Sequence, residues 1–301
     1  MSEPYKKRGL AEAVAGNLYL DSGGDHRDAI FVAGSGRSGT TWLSNLINHE
    51  NRYRYIFEPF DPEKVPLCKD FRRKQYLRPD DESEEYFEAA KKILVGALRH
   101  RWSDRFNRKV FAKRRLIKDI RANLLLGWMR HNFPGMPVVL LLRHPCAVTD
   151  SRIRLGWRDN LADVMTQSRL LEDHLKPFEK EIPAANTAFE RSIFLWCIEN
   201  CVPLRQPGSR EIYIVFYEKL LAEPESELTS LFEFLGEDFD ESLVRKAGDR
   251  ERYLTGWTER ISGPEVKRAC EILGLFGLDR VYGEDVLPSS RGVSELASRG
   301  T

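Results

Sequence analysis

The chain has 301 residues, 42% of them hydrophobic, enough to bury a sizeable core as one large α/β domain or two small ones; a peptide hormone, a fibre and a disordered chain are excluded. Its 47 Lys and Arg stand against 46 Asp and Glu, so a net charge of +1 offers no global field for nucleic acid or an anionic membrane, and electrostatic function must be local. The 5 Cys are odd in number and form no CxxC pair, which argues against a disulfide framework and for a reducing compartment.

Residues 1–28 read as a polar lead-in without the apolar run of a signal peptide or membrane anchor, so a cytoplasmic location is expected. Four short apolar runs follow, at 29–33 (AIFVA), 116–120 (LIKDI), 138–142 (VVLLL) and 212–216 (IYIVF), with a weaker fifth candidate at 53–57. Continuous aliphatic runs of this length suit strands covered on both faces. Helical patterns lie between and after them at 41–48, 84–99, 123–132, 147–154, 161–178, 186–205 and 225–235, and Gly263-Pro264 should open a last helix through Leu273. The alternation predicts an α/β, P-loop-containing fold with a mostly parallel sheet flanked by helices on both faces, as a single domain over 29–287 with a flexible tail at 288–301.

The sharpest local signal follows the first strand: Gly34-Ser35-Gly36-Arg37-Ser38-Gly39-Thr40-Thr41-Trp42. Gly34 and Gly39 have phosphate-loop spacing between a strand and a helix, where backbone N–H groups and the helix dipole meet an anion. Position 40 is Thr where an ATPase needs Lys, and the basic residue sits inside the loop as Arg37. The strongest remaining strand ends in Arg143-His144-Pro145, a cation where a Mg²⁺-dependent triphosphatase needs a carboxylate, so no metal is expected. Ser151, on the following helix, can join Arg143 at a second phosphate.

These segments resemble the sulfotransferases that use 3′-phosphoadenosine 5′-phosphosulfate (PAPS), over roughly residues 30–282, and the Arg form of the loop is closest in motif to the carbohydrate and tyrosylprotein branches. The resemblance implies that Gly36, Arg37, Ser38, Gly39, Thr40 and Thr41 hold the 5′-phosphosulfate and that Arg143 and Ser151 hold the 3′-phosphate. It implies adenine contacts for Trp42 and Tyr217, makes Trp257 similar to a C-terminal Trp of the family, and leaves Arg250 or Arg252 as substitutes for an absent Arg-Lys-Gly. Arg37 and Lys118 are then the cations for the transferred group, with Lys118 paired to Asp119 or to phosphate, and Glu58 is the base, its pKa expected to be raised by its aromatic flanks. His49 and His144 lack the sequence context of a catalytic His.

The implied activity is transfer of a sulfuryl group from PAPS to an acceptor hydroxyl, most readily on a carbohydrate, leaving 3′-phosphoadenosine 5′-phosphate (PAP). A Mg²⁺-dependent P-loop kinase of a small metabolite and a non-catalytic PAP- or RNA-binding protein are the alternatives. A small-molecule or glycan acceptor is expected, with an anionic one among the options; nucleic acid is not expected, and the oligomeric state is not legible. Ten Lys or Arg between Arg99 and Arg121 form a local basic stretch that could line an acceptor cleft, contact nucleic acid or be a solvated helix face.

Overall fold

The structure is a computed structural model that describes residues 18–206, 211–248, 252–292 and 295. Most of the polar lead-in, most of the tail and Arg250 therefore lie outside the described residues, as does the Arg252 side chain.

Five strands form one sheet in the order β3-β5-β2-β6-β7, every neighbouring pair parallel. They are β2 (Ala29–Gly34), β3 (Arg54–Phe57), β5 (Arg115–Asp119), β6 (Val138–Leu142) and β7 (Ile212–Phe216). The run at 53–57, the weakest of the five in sequence, is thus the edge strand β3. Every residue of β2, β3, β5 and β6 is buried, as expected of strands covered on both faces.

The period of two in a strand sorts these side chains between two apolar layers. Ile30, Val32, Leu116, Val139 and Leu141 face α1 (Thr40–Ile47), α7 (Tyr217–Ala222), α8 (Pro224–Leu235) and α9 (Ser242–Gly248). Phe31, Ala33, Ile117, Val138 and Leu140 face α2 (Glu84–Leu94) and α3 (Leu126–Asn132). A third cluster joins α4 (Pro145–Arg154), α6 (Ala188–Arg205) and α10 (Gly263–Leu275) beyond the ends of β6 and β7.

Two helical patterns end differently from their sequence expectation. The one at 84–99 stops at Leu94, because Gly96 takes φ 80° and its N–H turns back to Ile93. The one at 161–178 breaks after α5 (Leu161–Met165), where Gln167 is extended and its amide accepts from the Tyr76 N–H at 2.8 Å and donates to the Lys74 carbonyl at 3.0 Å. One broken helix therefore pins the loop that carries Lys74.

The basic stretch at 99–121 is not a helix face. Much of it is neutralised internally: Arg115 is fully buried, Arg114 pairs with Glu237, and Lys118 and Arg121 enter the site described below. A two-stranded parallel pair, β1 (Leu20–Asp21) with β4 (Phe111–Ala112), brings Asp21 over the β3–β5 edge. There its carboxylate accepts from Arg54 at 2.9 Å and Arg115 at 3.0 Å, both guanidinium groups fully out of solvent. Removing one carboxylate shared by two buried cations leaves charge unpaired, so Asp21→Ala should cost roughly 3–5 kcal/mol in urea unfolding. A loss below about 1 kcal/mol would show that Asp21 does not clamp this edge.

Candidate active site

Chain leaving β2 reaches β5 and β3 on one side of the sheet and β6 and β7 on the other, so a crevice opens at the C-terminal edge. Each of the five strands delivers a candidate residue there: the glycine loop after β2, Glu58 after β3, Lys118 at the end of β5, Arg143 after β6 and Tyr217 after β7. In the loop, Gly39 takes φ 102° and a Cβ there would come within 2.8 Å of the Tyr217 ring; a Cβ on Gly36 would come within 2.5 Å of Trp157. Asn123 accepts from the Gly34 N–H at 3.1 Å, and Asn200 donates to Ser35 Oγ at 3.0 Å. The loop is thus fixed from α6 and from the turn before α3, with its N–H groups ahead of α1.

Ser151 and Arg143, the residues expected at a second phosphate, both bond to Arg37. Arg37 Nε donates to Ser151 Oγ at 3.0 Å, and Arg143 donates to the Arg37 carbonyl at 3.2 Å while lying 4.3 Å over the Tyr217 ring. Burial and the nearby Arg143 and Arg154 charges lower the pKa of Arg37, so these cations sit together at electrostatic cost. Ser38 Oγ and Arg143 Nε are buried without a hydrogen-bond partner. Unpaired donors and crowded cations fit a phosphate-bearing ligand. Trp42 and Tyr217 are 8% and 4% exposed and meet edge to face at 5.2 Å, so both rings also pack in the core.

Glu58 accepts from Lys118 Nζ at 2.5 Å and from Arg121 at 2.6 Å. Lys118 is therefore paired with Glu58 rather than with Asp119, whose oxygens accept the Phe60 and Arg121 N–H groups at 2.8 and 2.7 Å. Burial by itself raises the pKa of Glu58, but Lys118 and Arg121 together outweigh it and hold the carboxyl below its ordinary value. This corrects the expectation of a raised pKa: the aromatic flanks are present, but two cations arrive with them. Arg37 is tied to Ser151 and forms no bond with Glu58 or Lys118 among the described residues, which separates the two proposed cations into different clusters.

His144 is buried, caps α4 by accepting from the Cys146 N–H at 3.2 Å, stacks on Trp257 at 4.3 Å, and has its pKa pushed down to about 4 by burial. His49 lies at the far end of α1, with Nε2 3.2 Å from Asp240. Neither is placed to serve the crevice.

Sequence reasoning missed Lys74, Arg121, Arg152, Trp157 and Glu199. Arg152 donates to the Gly36 carbonyl at 3.2 Å and to Glu199 at 2.8 Å, and Lys74 pairs with the other Glu199 oxygen. Trp157 covers Gly36 at the mouth of a cavity of about 430 Å³ that reaches Arg121, Arg152 and Leu195. The basic stretch contained Arg121, but nothing in the spacing singled it out, and the Lys74–Glu199 contact spans unrelated segments. Positive φ is a retrospective signal: of the four non-glycine residues with φ above zero among those described, Arg37, Glu58 and Lys74 lie in this region and only Asn51 does not.

The family model for the sulfotransferase family matches residues 29–241, and the chain belongs to that family. No curated protein matches the sequence. Similar solved structures include the sulfotransferase domain of the curacin biosynthetic pathway, at 15% identity over 85% of this chain and 98% of that one with a TM-score of 0.46. The sulfotransferase domain of the Synechococcus PCC 7002 olefin synthase gives 18%, 83%, 94% and 0.47, and a mouse sulfotransferase complexed with PAP gives 14%, 88%, 88% and 0.44. No helix among the described residues is long and apolar enough to cross a membrane.

The depressed pKa of Glu58 has a direct check. Replacing one of its two cations in Arg121→Gln should raise the Glu58 titration midpoint observed by carboxyl NMR. An unchanged midpoint would show that Arg121 does not set the charge of Glu58.

Proposed function

We propose that this sulfotransferase moves the sulfuryl group of PAPS to a hydroxyl of a carbohydrate acceptor, with Glu58 as base. The observation that carries the reading is the buried Glu58–Lys118 pair at the same sheet edge as the phosphate loop and the Arg37–Ser151–Arg143 cluster. The carbohydrate acceptor rests on the Arg form of the loop and on Glu58 after β3, both resembling the carbohydrate branch.

Bound PAPS supplies the sulfur to which the acceptor oxygen bonds as the bond from sulfur to the 5′-phosphate oxygen breaks. The N–H groups of Gly36, Arg37, Ser38, Gly39, Thr40 and Thr41 hold the 5′ end, and Arg143 with Ser151 holds the 3′-phosphate. Trp42 and Tyr217 form the adenine side of the crevice. Glu58 takes the acceptor proton, and its neutralisation frees the Lys118 ammonium to face the charge that develops on the departing oxygen. The low pKa of Glu58 makes it a weak base, so position matters more than basicity, and Lys118 couples the proton to the leaving group. Arg37 serves the phosphates rather than acting beside Lys118.

Three outcomes check this. Glu58→Gln keeps the shape and removes proton acceptance, so kcat should fall by about 10² to 10⁴ with PAP affinity little changed; near-normal turnover at saturating acceptor would place the base elsewhere. Arg143→Ala should weaken PAP more than adenosine 5′-phosphosulfate in calorimetry, because only PAP carries the 3′-phosphate; equal losses would remove Arg143 from that contact. Side-chain cations supply the counter-charge in this reading, so PAP binding should persist in EDTA, and its loss on chelation would contradict the metal-free donor site.

A further inference from the structure

The cavity beside the phosphate loop has more positive charge than the donor reading uses. Arg73, Lys74, Arg121, Arg152 and Arg158 line it against one carboxylate, Asp159, which is itself paired with Arg191. Arg121 is matched by Glu58 and Asp61, and Arg73 by Glu63. Lys74 and Arg152, both buried, share the single Glu199 carboxylate. Arg152 is 6% exposed, and one of its guanidinium nitrogens is buried with no hydrogen-bond partner. Arg158 at the exposed rim forms no bond or ion pair among the described residues. Trp157 is 43% exposed and lines the same cavity as Ile120, Ile153 and Leu195, with the Arg37 guanidinium 5.9 Å from the centroid of its ring.

An apolar wall with a ring platform accepts the C–H face of a sugar or a flat ring, and a buried guanidinium nitrogen that the Glu199 carboxylate and the Gly36 carbonyl leave without a partner asks for a further acceptor. Resting on the sulfotransferase reading, we propose that the acceptor itself is negatively charged: an acidic pyranoside whose ring lies on Trp157 and whose acidic group is taken by Arg152 and Arg158. The donor phosphates are met by the loop, Arg37, Arg143 and Ser151, so this charge is left for the second substrate. Burial and the neighbouring Arg152, Arg121 and Arg73 charges push the pKa of Lys74 well down, and a neutral acceptor would still leave the free Arg152 nitrogen and Arg158 without an anionic partner in the ternary complex.

Calorimetry on the PAP-saturated protein compares 4-nitrophenyl β-D-glucuronide with 4-nitrophenyl β-D-glucoside, which differ in the acidic group. The glucuronide should bind at least about ten-fold more tightly, the preference should shrink with added salt, and Arg158→Glu should abolish it. Equal binding, tighter binding of the glucoside, a preference unchanged in Arg158→Glu, or no binding of either compound would overturn the proposal. Failure of the donor reading appears separately, as failure of PAP to saturate the protein; the same pair is then titrated against the free protein, where the cavity's preference for the acid still decides the inference.

Discussion

Crowding of buried and half-buried cations around few carboxylates is the condition around which the C-terminal edge of the sheet is organised. Five parallel strands end on one side, and the residues that follow them have no choice but to share that space. Arg37 and Arg143 crowd one another, Lys118 and Arg121 converge on Glu58 with Asp61 also pairing Arg121, and Lys74 and Arg152 converge on Glu199. A folded chain bears such charge only when carboxylates, carbonyls or a ligand answer it. Where they do not fully answer it, the imbalance itself describes the ligands.

The carboxylates differ in what surrounds them. Glu58 sits under two cations that hold its pKa below the ordinary carboxylate value, whereas Asp119, fully buried and holding two backbone N–H groups, has its pKa pushed up to about 6. Adjacent acids on adjacent strands are thereby given different roles: Asp119 ties down the turn after β3, and Glu58 keeps a charge that one proton can cancel. The left-handed backbone at Glu58 and Lys74 is strain held by this packing, at positions where an L-residue rarely sits.

Much of the frame is legible in the chain. AIFVA and VVLLL are apolar at every position and short, which suits strands covered on both faces, and the glycine loop and Arg143 follow directly from where those strands end. The ion-pair geometry is not legible, because Glu58, Lys118 and Arg121 come from two strands and meet only through parallel register, which pairs Phe57 with Lys118. The same reason hides Glu199, a charged residue inside a buried helix whose partners are Lys74, on a distant loop, and Arg152. The break at Gln167 is invisible to hydrophobic periodicity, since what ends the helix is a pair of hydrogen bonds between the Gln167 side-chain amide and the loop at 74–76.

Charges assembled to move a sulfuryl group differ in one observable respect from charges that merely hold a nucleotide: the group leaves PAPS for an acceptor. Incubation of the protein with PAPS carrying radioactive sulfur and a panel of neutral and acidic glycans measures this directly. Label should pass to a glycan hydroxyl in step with the formation of PAP. Tight binding of the nucleotide with no label transferred to any acceptor would show that the site holds the nucleotide without moving its sulfuryl group.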